Sequence, residues 1–121
     1  MIDCNLNKFF AHRGLISPGL VENSQTAILE CLRHRASIEL DLQYHPSGEI
    51  FVFHDEGLDR IFNYKAKLSS CPVDHLKLLK YKDGTAILTL QSLLELVEGS
   101  VPLLLELKAF QGISYLPYVL V

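Results

Sequence analysis

The chain has 121 residues, 49% of them hydrophobic and 21% charged, with 14 acidic and 11 basic side chains and a net charge of -3. This is globular composition and one domain's worth of length; it argues against disorder, and with no basic block it argues against nucleic-acid binding. No apolar run approaches the ~20 residues of a membrane span, and Met1 to Lys8 lacks the apolar stretch of a secretory signal. Cys4, Cys31 and Cys71 are odd in number and widely spaced, which fits reduced thiols in a cytoplasmic protein rather than a disulfide frame or zinc site.

The first expected strand is Lys8–Ala11, followed by His12-Arg13-Gly14 and a loop with Pro18 and Gly19. A helix is expected from Gln25 to Arg35. Asn23 or Ser24 can cap it, and Ala27, Ile28, Cys31 and Leu32 give it an apolar face. Ser37–Gln43 reads as a strand in which Ile38, Leu40 and Leu42 alternate with Glu39, Asp41 and Gln43. Pro46-Ser47-Gly48 is a turn, and Ile50–Phe53, apolar throughout, is a strand buried on both faces. The link Leu42–Glu49 is short for a parallel crossover but long enough for an extended one, so a hairpin and a parallel return both remain open. Residues 55–88 carry the weakest pattern, with a short helix expected within Pro72–Lys80 and a turn at Lys82-Asp83-Gly84. Leu90–Glu98 is a helix capped by Thr89 and stopped by Gly99, with Leu90, Leu93, Leu94 and Val97 as its buried stripe. The last expected strand is Pro102–Leu107, ending at Lys108. Alternating strands and helices predict a mostly parallel α/β sheet.

Each of these strands carries ionisable groups at or near its C-terminal end: His12-Arg13, Glu39-x-Asp41, His54-Asp55 and Glu106-x-Lys108. In parallel α/β folds that edge of the sheet carries the active site. Residues two apart on a strand share a face, so Glu39 and Asp41 point together, away from the leucines that meet the helices. Buried carboxylates are expensive without compensation. With Glu106 following the same alternation, a divalent cation is expected there, and all-oxygen ligands favour Mg²⁺ or Ca²⁺ over zinc. A solvated edge strand would explain one E-x-D alone but not four charged strand ends. His12 and His54 can give and take protons near neutral pH, as phosphodiester cleavage requires of an acid and a base. Arg13 offers a planar fork for a phosphate oxygen or a surface ion pair. Lys108 can meet phosphate or pair with Glu106 or Glu39. His34, His45 and His75 read as structural. No dinucleotide fingerprint, phosphate-binding glycine loop, serine elbow or zinc-protease motif occurs.

Taken in order, Phe-Phe-Ala-His12-Arg13-Gly14, Val-Glu22-Asn23-Ser, Ile-Glu39-Leu-Asp41-Leu, Ser-Gly-Glu-Ile-Phe-Val-Phe-His54-Asp55, Leu-Asp59-Arg60, Leu-Thr-Leu-Gln-Ser-Leu and Val-Pro-Leu-Leu-Leu-Glu106-Leu-Lys108 resemble the glycerophosphodiester phosphodiesterase family. The resemblance covers residues 8–112. It implies a TIM barrel that hydrolyses small-molecule glycerophosphodiesters to glycerol 3-phosphate and an alcohol with a divalent cation. It implies His12 and His54 as the acid–base pair, Glu39, Asp41 and Glu106 as metal ligands, and Arg13 and Lys108 at the phosphate. Glu22 supports the site, with Val21 standing where the family usually has proline. The attacking group is either the substrate's own glycerol hydroxyl or water.

A TIM barrel takes about 250 residues, so the expected fold class is α/β, a partial barrel of about the first four strands and their helices. The expected organisation is a truncated phosphodiesterase domain at 1–112 and a divergent apolar tail at 113–121. Two open sheet edges and an uncovered inner face invite self-association. The alternatives are a catalytically inactive fragment serving as an interaction module of the same fold, and the same chemistry on another substrate, as in the related sphingomyelinase D-like barrels.

Overall fold

The computed structural model describes residues 10–108, 110 and 118–121. Of the expected elements, Lys8 and Phe9 of the first strand and residues 113–117 of the tail lie outside the described residues, as does Cys4.

The sheet is built on one central strand. β2 (Ile38–Tyr44) runs parallel to β4 (Leu103–Lys108) on one side. Its other side is shared by two short strands. β1 (Ala11–His12) pairs in parallel with Ile38 and Glu39, and β3 (Ile50–Val52) pairs antiparallel with Leu42, Gln43 and Tyr44. The open question of the Leu42–Glu49 link is therefore settled as a hairpin, closed by His45 N–H donating to the Glu49 carbonyl at 2.9 Å. β5 (Tyr118–Leu120) adds antiparallel to the far edge of β4. The sheet is thus less parallel than the alternation of elements suggested, with both β3 and β5 reversed.

Alternation along β2 sorts its side chains as expected. Ile38, Leu40 and Leu42 are buried among Ile28 and Cys31 of α1 (Gln25–Arg33) and Leu93 and Val97 of the helix Leu90–Val97. Burying each such leucine or isoleucine contributes about 1.5–3 kcal/mol. Ser24, not Asn23, caps α1: its Oγ accepts the Ala27 amide at 3.1 Å. Thr89 caps the second long helix by accepting the Ser92 amide at 3.1 Å. That helix ends one residue before Glu98, which itself takes the left-handed conformation ahead of Gly99. β3 is buried on both faces, as read: Val52 joins the helix-side core, and Phe51 joins a second core with Phe53, Leu58, Leu68 and Tyr81.

That second core explains residues 55–88, where periodicity gave little. The segment folds as α2 (Asp59–Phe62), a 3-10 turn at Leu68–Ser70 and α3 (Val73–Leu76), with the helix Leu90–Val97 following as α4. Isolated bridges between Gly57 and Lys67 and between Lys80 and Ala86 close its loops. Stacked rings run from Phe53 through Phe62 to Tyr81, with centroids 5.9 and 5.1 Å apart. These scattered rings, with buried Leu58, Leu68 and Leu76 rather than a repeating stripe, hold this layer down.

Candidate functional site

The C-terminal ends of β1 and β4, the first half of β2 and the chain leaving β3 meet at one rim. Register alone does much of this: His12 lies opposite Glu39, and Asp41 opposite Glu106. Phe53 N–H donates to the Asp41 carbonyl at 2.9 Å, which carries the β3 strand past β2 and delivers His54 to the same rim.

The three acids converge. One carboxylate oxygen from each of Glu39, Asp41 and Glu106 lies within 4.8 Å of the other two. Glu39 is buried, Asp41 is only 1% exposed, and Glu106 is half-buried. Burial pushes the Glu39 carboxyl above its ordinary pKa, and repulsion from Asp41 and Glu106 adds to this. A hydrogen bond from the Arg13 amide (3.1 Å) and the nearby charge of His12 act against it. Asp41 Oδ2 accepts from Asn23 Nδ2 at 3.0 Å, but buried Oδ1 has no hydrogen-bond partner. Lys108 Nζ donates to Glu106 at 3.0 Å and stands 3.7 Å from Asp41 Oδ1. Burial disfavours the Lys108 charge, but Glu106, Asp41 and Glu39 outweigh burial and raise its pKa. A buried acceptor without a donor is costly, and an all-oxygen trio around it is the donor chemistry of a hard divalent cation. The residues fit such an ion.

A second constellation lies beside the first and has the opposite character. Arg13 sits in the left-handed region at φ 55°, and Gly14 follows at φ 72°. A Cβ on Gly14 would come 3.3 Å from the Ala27 Cβ of α1, so glycine lets the turn pack on the helix. The turn aims the Arg13 guanidinium back along the rim. Its Nη1 donates to Glu22 at 3.2 and 3.3 Å, and its Nη2 lies 3.0 Å from His54 Nε2. Arg13 Nε is 3.8 Å from Asp41 Oδ2, which links the two constellations. His54 Nδ1 is 2.7 Å from Asp55 Oδ1. A guanidinium can only donate and an ionised carboxylate can only accept. These partners therefore assign the proton of neutral His54 to Nδ1 and a lone pair to Nε2.

Arg60 at the start of α2 closes the network. It donates to Glu22 through Nη1 and Nη2 (2.9 and 2.8 Å) and to Asp55 through Nε and Nη2 (2.7 and 2.9 Å). Asp55 is held at about 2, first by its hydrogen bonds to Arg60 and then, against some burial, by His54. Burial works against the Glu22 charge, but Arg60, Arg13 and His54 prevail and lower its pKa. Glu22, His54 and Asp55 also bring ligand atoms within 4.8 Å of one another. There, however, the two arginines already supply the positive charge.

All eight residues singled out in the sequence, His12, Arg13, Glu22, Glu39, Asp41, His54, Glu106 and Lys108, stand at this rim. His12 is exposed beside Glu39, and Lys108 takes the ion-pair option with Glu106. Sequence reasoning missed three structural partners. Asn23, read as a helix cap, is buried at φ 58° and bonds both ways to Asp41, its Oδ1 accepting the Asp41 amide at 3.1 Å. Gln43, two residues beyond Asp41 on the same face, donates to the carbonyls of Phe53 and Asp55 and so fixes the chain around His54. Its strand spacing was the available signal. Arg60 carried no assigned role and had none visible from spacing. His45 and His34 are structural: buried His45 contacts the Cys71 carbonyl at 2.8 Å, and His34 pairs with Glu30 on the surface.

Helices on one face of the sheet and an acid-lined rim at its strand ends define a partial TIM barrel with a site at the usual edge. The chain belongs to the Glycerophosphoryl diester phosphodiesterase family, whose pattern matches residues 12–116. It is 37% identical over 73 residues to a glycerophosphodiester phosphodiesterase of Bacillus altitudinis, covering 60% of this chain and 29% of that protein. Among solved structures, the glycerophosphodiester phosphodiesterase of Thermotoga maritima aligns with TM-score 0.72 and 33% identity, over 83% of this chain and 43% of that one. An Oleispira antarctica phosphodiesterase, solved in complex with the product sn-glycerol-3-phosphate, aligns with TM-score 0.74 and 26% identity, over 85% of this chain and 45% of that one. The chain thus spans under half the length of these relatives. Among the described residues no helix is long and apolar enough to cross a membrane.

Proposed function

We propose that this chain carries the phosphate-handling rim of an enzyme that hydrolyses glycerophosphodiesters to glycerol 3-phosphate and an alcohol. The observation that carries the reading is the buried, unpartnered Asp41 Oδ1 between Glu39, Glu106 and Lys108, next to an arginine–histidine pair. Family membership supports the substrate class.

Glu39, Asp41 and Glu106 would hold a divalent cation, Mg²⁺ or Ca²⁺ by their chemistry. Once the ion is bound, it supplies neutralisation of the charge on the phosphate oxygens. The remaining work falls to the side chains. Arg13 binds a phosphate oxygen through its fork, pre-aimed by the Gly14 turn and by Glu22. Lys108, kept protonated by three acids, adds a second positive charge at the same rim. Once Arg13 Nη2 turns from His54 Nε2 to the phosphate oxygen, the Nε2 lone pair accepts the proton of the attacking group, which is water or the substrate's own glycerol hydroxyl; in the second case water then opens the cyclic phosphate to glycerol 3-phosphate. Asp55 favours the imidazolium that results. His12, exposed beside Glu39, returns a proton to the departing alkoxide. Preorganised charge and positioned proton carriers of this kind are the usual contributions to phosphoester cleavage.

The test is release of glycerol 3-phosphate from glycerophosphocholine with Mg²⁺ or Ca²⁺, with and without EDTA, beside His12→Ala and His54→Ala. Turnover that needs the ion and drops about a hundredfold or more in either variant supports the reading. No turnover from a folded sample, or turnover indifferent to both histidines, refutes it.

A further inference from the structure

We propose that Arg60 is a positioning residue: it clamps Glu22 and Asp55 together and thereby fixes the tautomer and orientation of His54. The inference rests on the catalytic reading above only for its consequence on turnover.

The guanidinium uses both of its bidentate edges. One edge, Nη1 and Nη2, meets the two oxygens of Glu22, and the other, Nε and Nη2, meets the two oxygens of Asp55. A planar fork with five donors can do this; an ammonium cannot. Isolated surface ion pairs contribute little, and the Arg60 side chain is 48% exposed. Doubly bidentate geometry inside a network is the exception to that rule. The clamp joins three segments: the loop before α1, the chain leaving β3, and α2.

Each carboxylate it holds orients one phosphate-facing group. Asp55 Oδ1 accepts a hydrogen bond from His54 Nδ1–H, and the Glu22 oxygens accept from Arg13 Nη1. Asp55 is partly exposed, so without Arg60 its carboxylate is free to turn toward water and release the imidazole. Arg13 Nη2, 3.0 Å from Nε2 and able only to donate, favours the same tautomer, but it is aimed through Glu22, the other carboxylate that Arg60 holds. With both carboxylates freed, neither ring nitrogen is tethered, and the imidazole divides between two tautomers, of which only one leaves Nε2 able to accept a proton. Removing outer partners of this kind typically lowers activity about 10–100-fold.

The tautomer can be read directly on the ¹⁵N-labelled chain from long-range ¹H–¹⁵N spectra of its histidines, with His54 assigned from His54→Gln. The expected wild-type pattern is a protonated Nδ1 and an unprotonated Nε2. In Arg60→Met and Arg60→Lys, the His54 signals should move toward a tautomer mixture while backbone amides outside the rim stay in place. Turnover of glycerophosphocholine should fall about 10–100-fold in Arg60→Met. A wild-type His54 pattern in either folded variant overturns the proposal, even if turnover falls or the protein loses stability. If Arg60→Met does not fold, Arg60→Lys decides, because it keeps the charge and lacks the second fork. A wild-type chain without turnover refutes the phosphodiesterase reading and leaves the tautomer result to stand or fall alone.

Discussion

Glu39→Gln should stabilise the ion-free protein and abolish its stabilisation by Mg²⁺ or Ca²⁺. Three carboxylates share one small volume, and burial already penalises the charge on Glu39. Glutamine removes one of the three charges and keeps an oxygen to accept the Arg13 amide. The ion-free variant should therefore melt above wild type. With a divalent ion the order reverses, because a bound ion stabilises by mass action, about 2.7 kcal/mol at a hundred times its dissociation constant. An unfolding entropy of about 2.1 cal/mol/K per residue over 121 residues converts each kcal/mol to about 4 °C. Wild type should thus gain about 10 °C at that saturation, and the variant should gain little. Thermal unfolding is followed in EDTA and then across MgCl₂ and CaCl₂ titrations at constant ionic strength. Equal ion-induced shifts in both proteins, or a variant that melts below wild type in EDTA, would refute the reasoning.

Two further perturbations probe the scaffold. Asn23→Ala should cost about 3 kcal/mol in urea unfolding, since it removes two hydrogen bonds to buried Asp41 and puts alanine at φ 58°. Asn23→Gly, which tolerates that φ, should lose less; equal losses would show that backbone strain plays no part. Asp55 titrates at about 2 in the folded protein, against an ordinary 3.8. Its folded pKa is depressed, so its contribution is complete above pH ~4 and disappears as pH falls toward 2. Solvent screening at this partly exposed group limits the contribution to about 1 kcal/mol. Asp55→Asn should therefore narrow its stability gap to wild type between pH 4 and 2, and a gap constant across that window would contradict the pair assignments.

How much of this was legible in the sequence depended on how local the cause was. Alternation on β2 is a property of seven adjacent residues, so it correctly separated Ile38, Leu40 and Leu42 from Glu39 and Asp41. Charges that recur on or just beyond neighbouring strands located the rim for the same reason. The hairpin between β2 and β3 was not decided by chain length, which permits both routes; it is fixed by the pairing of Leu42 with Val52. The layer over residues 55–88 was opaque because stacked Phe53, Phe62 and Tyr81 have no common period. Arg60 lay beyond reach on different grounds. Its partners are five and 38 residues away, and nothing at that spacing marks a helix or strand. The acids of the rim and His12 were visible because strands deliver them in register, whereas Glu22, Asp55 and Arg60, which hold Arg13 and His54, arrive from loops and the short α2. A sequence pattern therefore reveals what the rim is made of, while the hydrogen bonds that set His54's proton and Arg13's aim become visible only once those loops have folded against it.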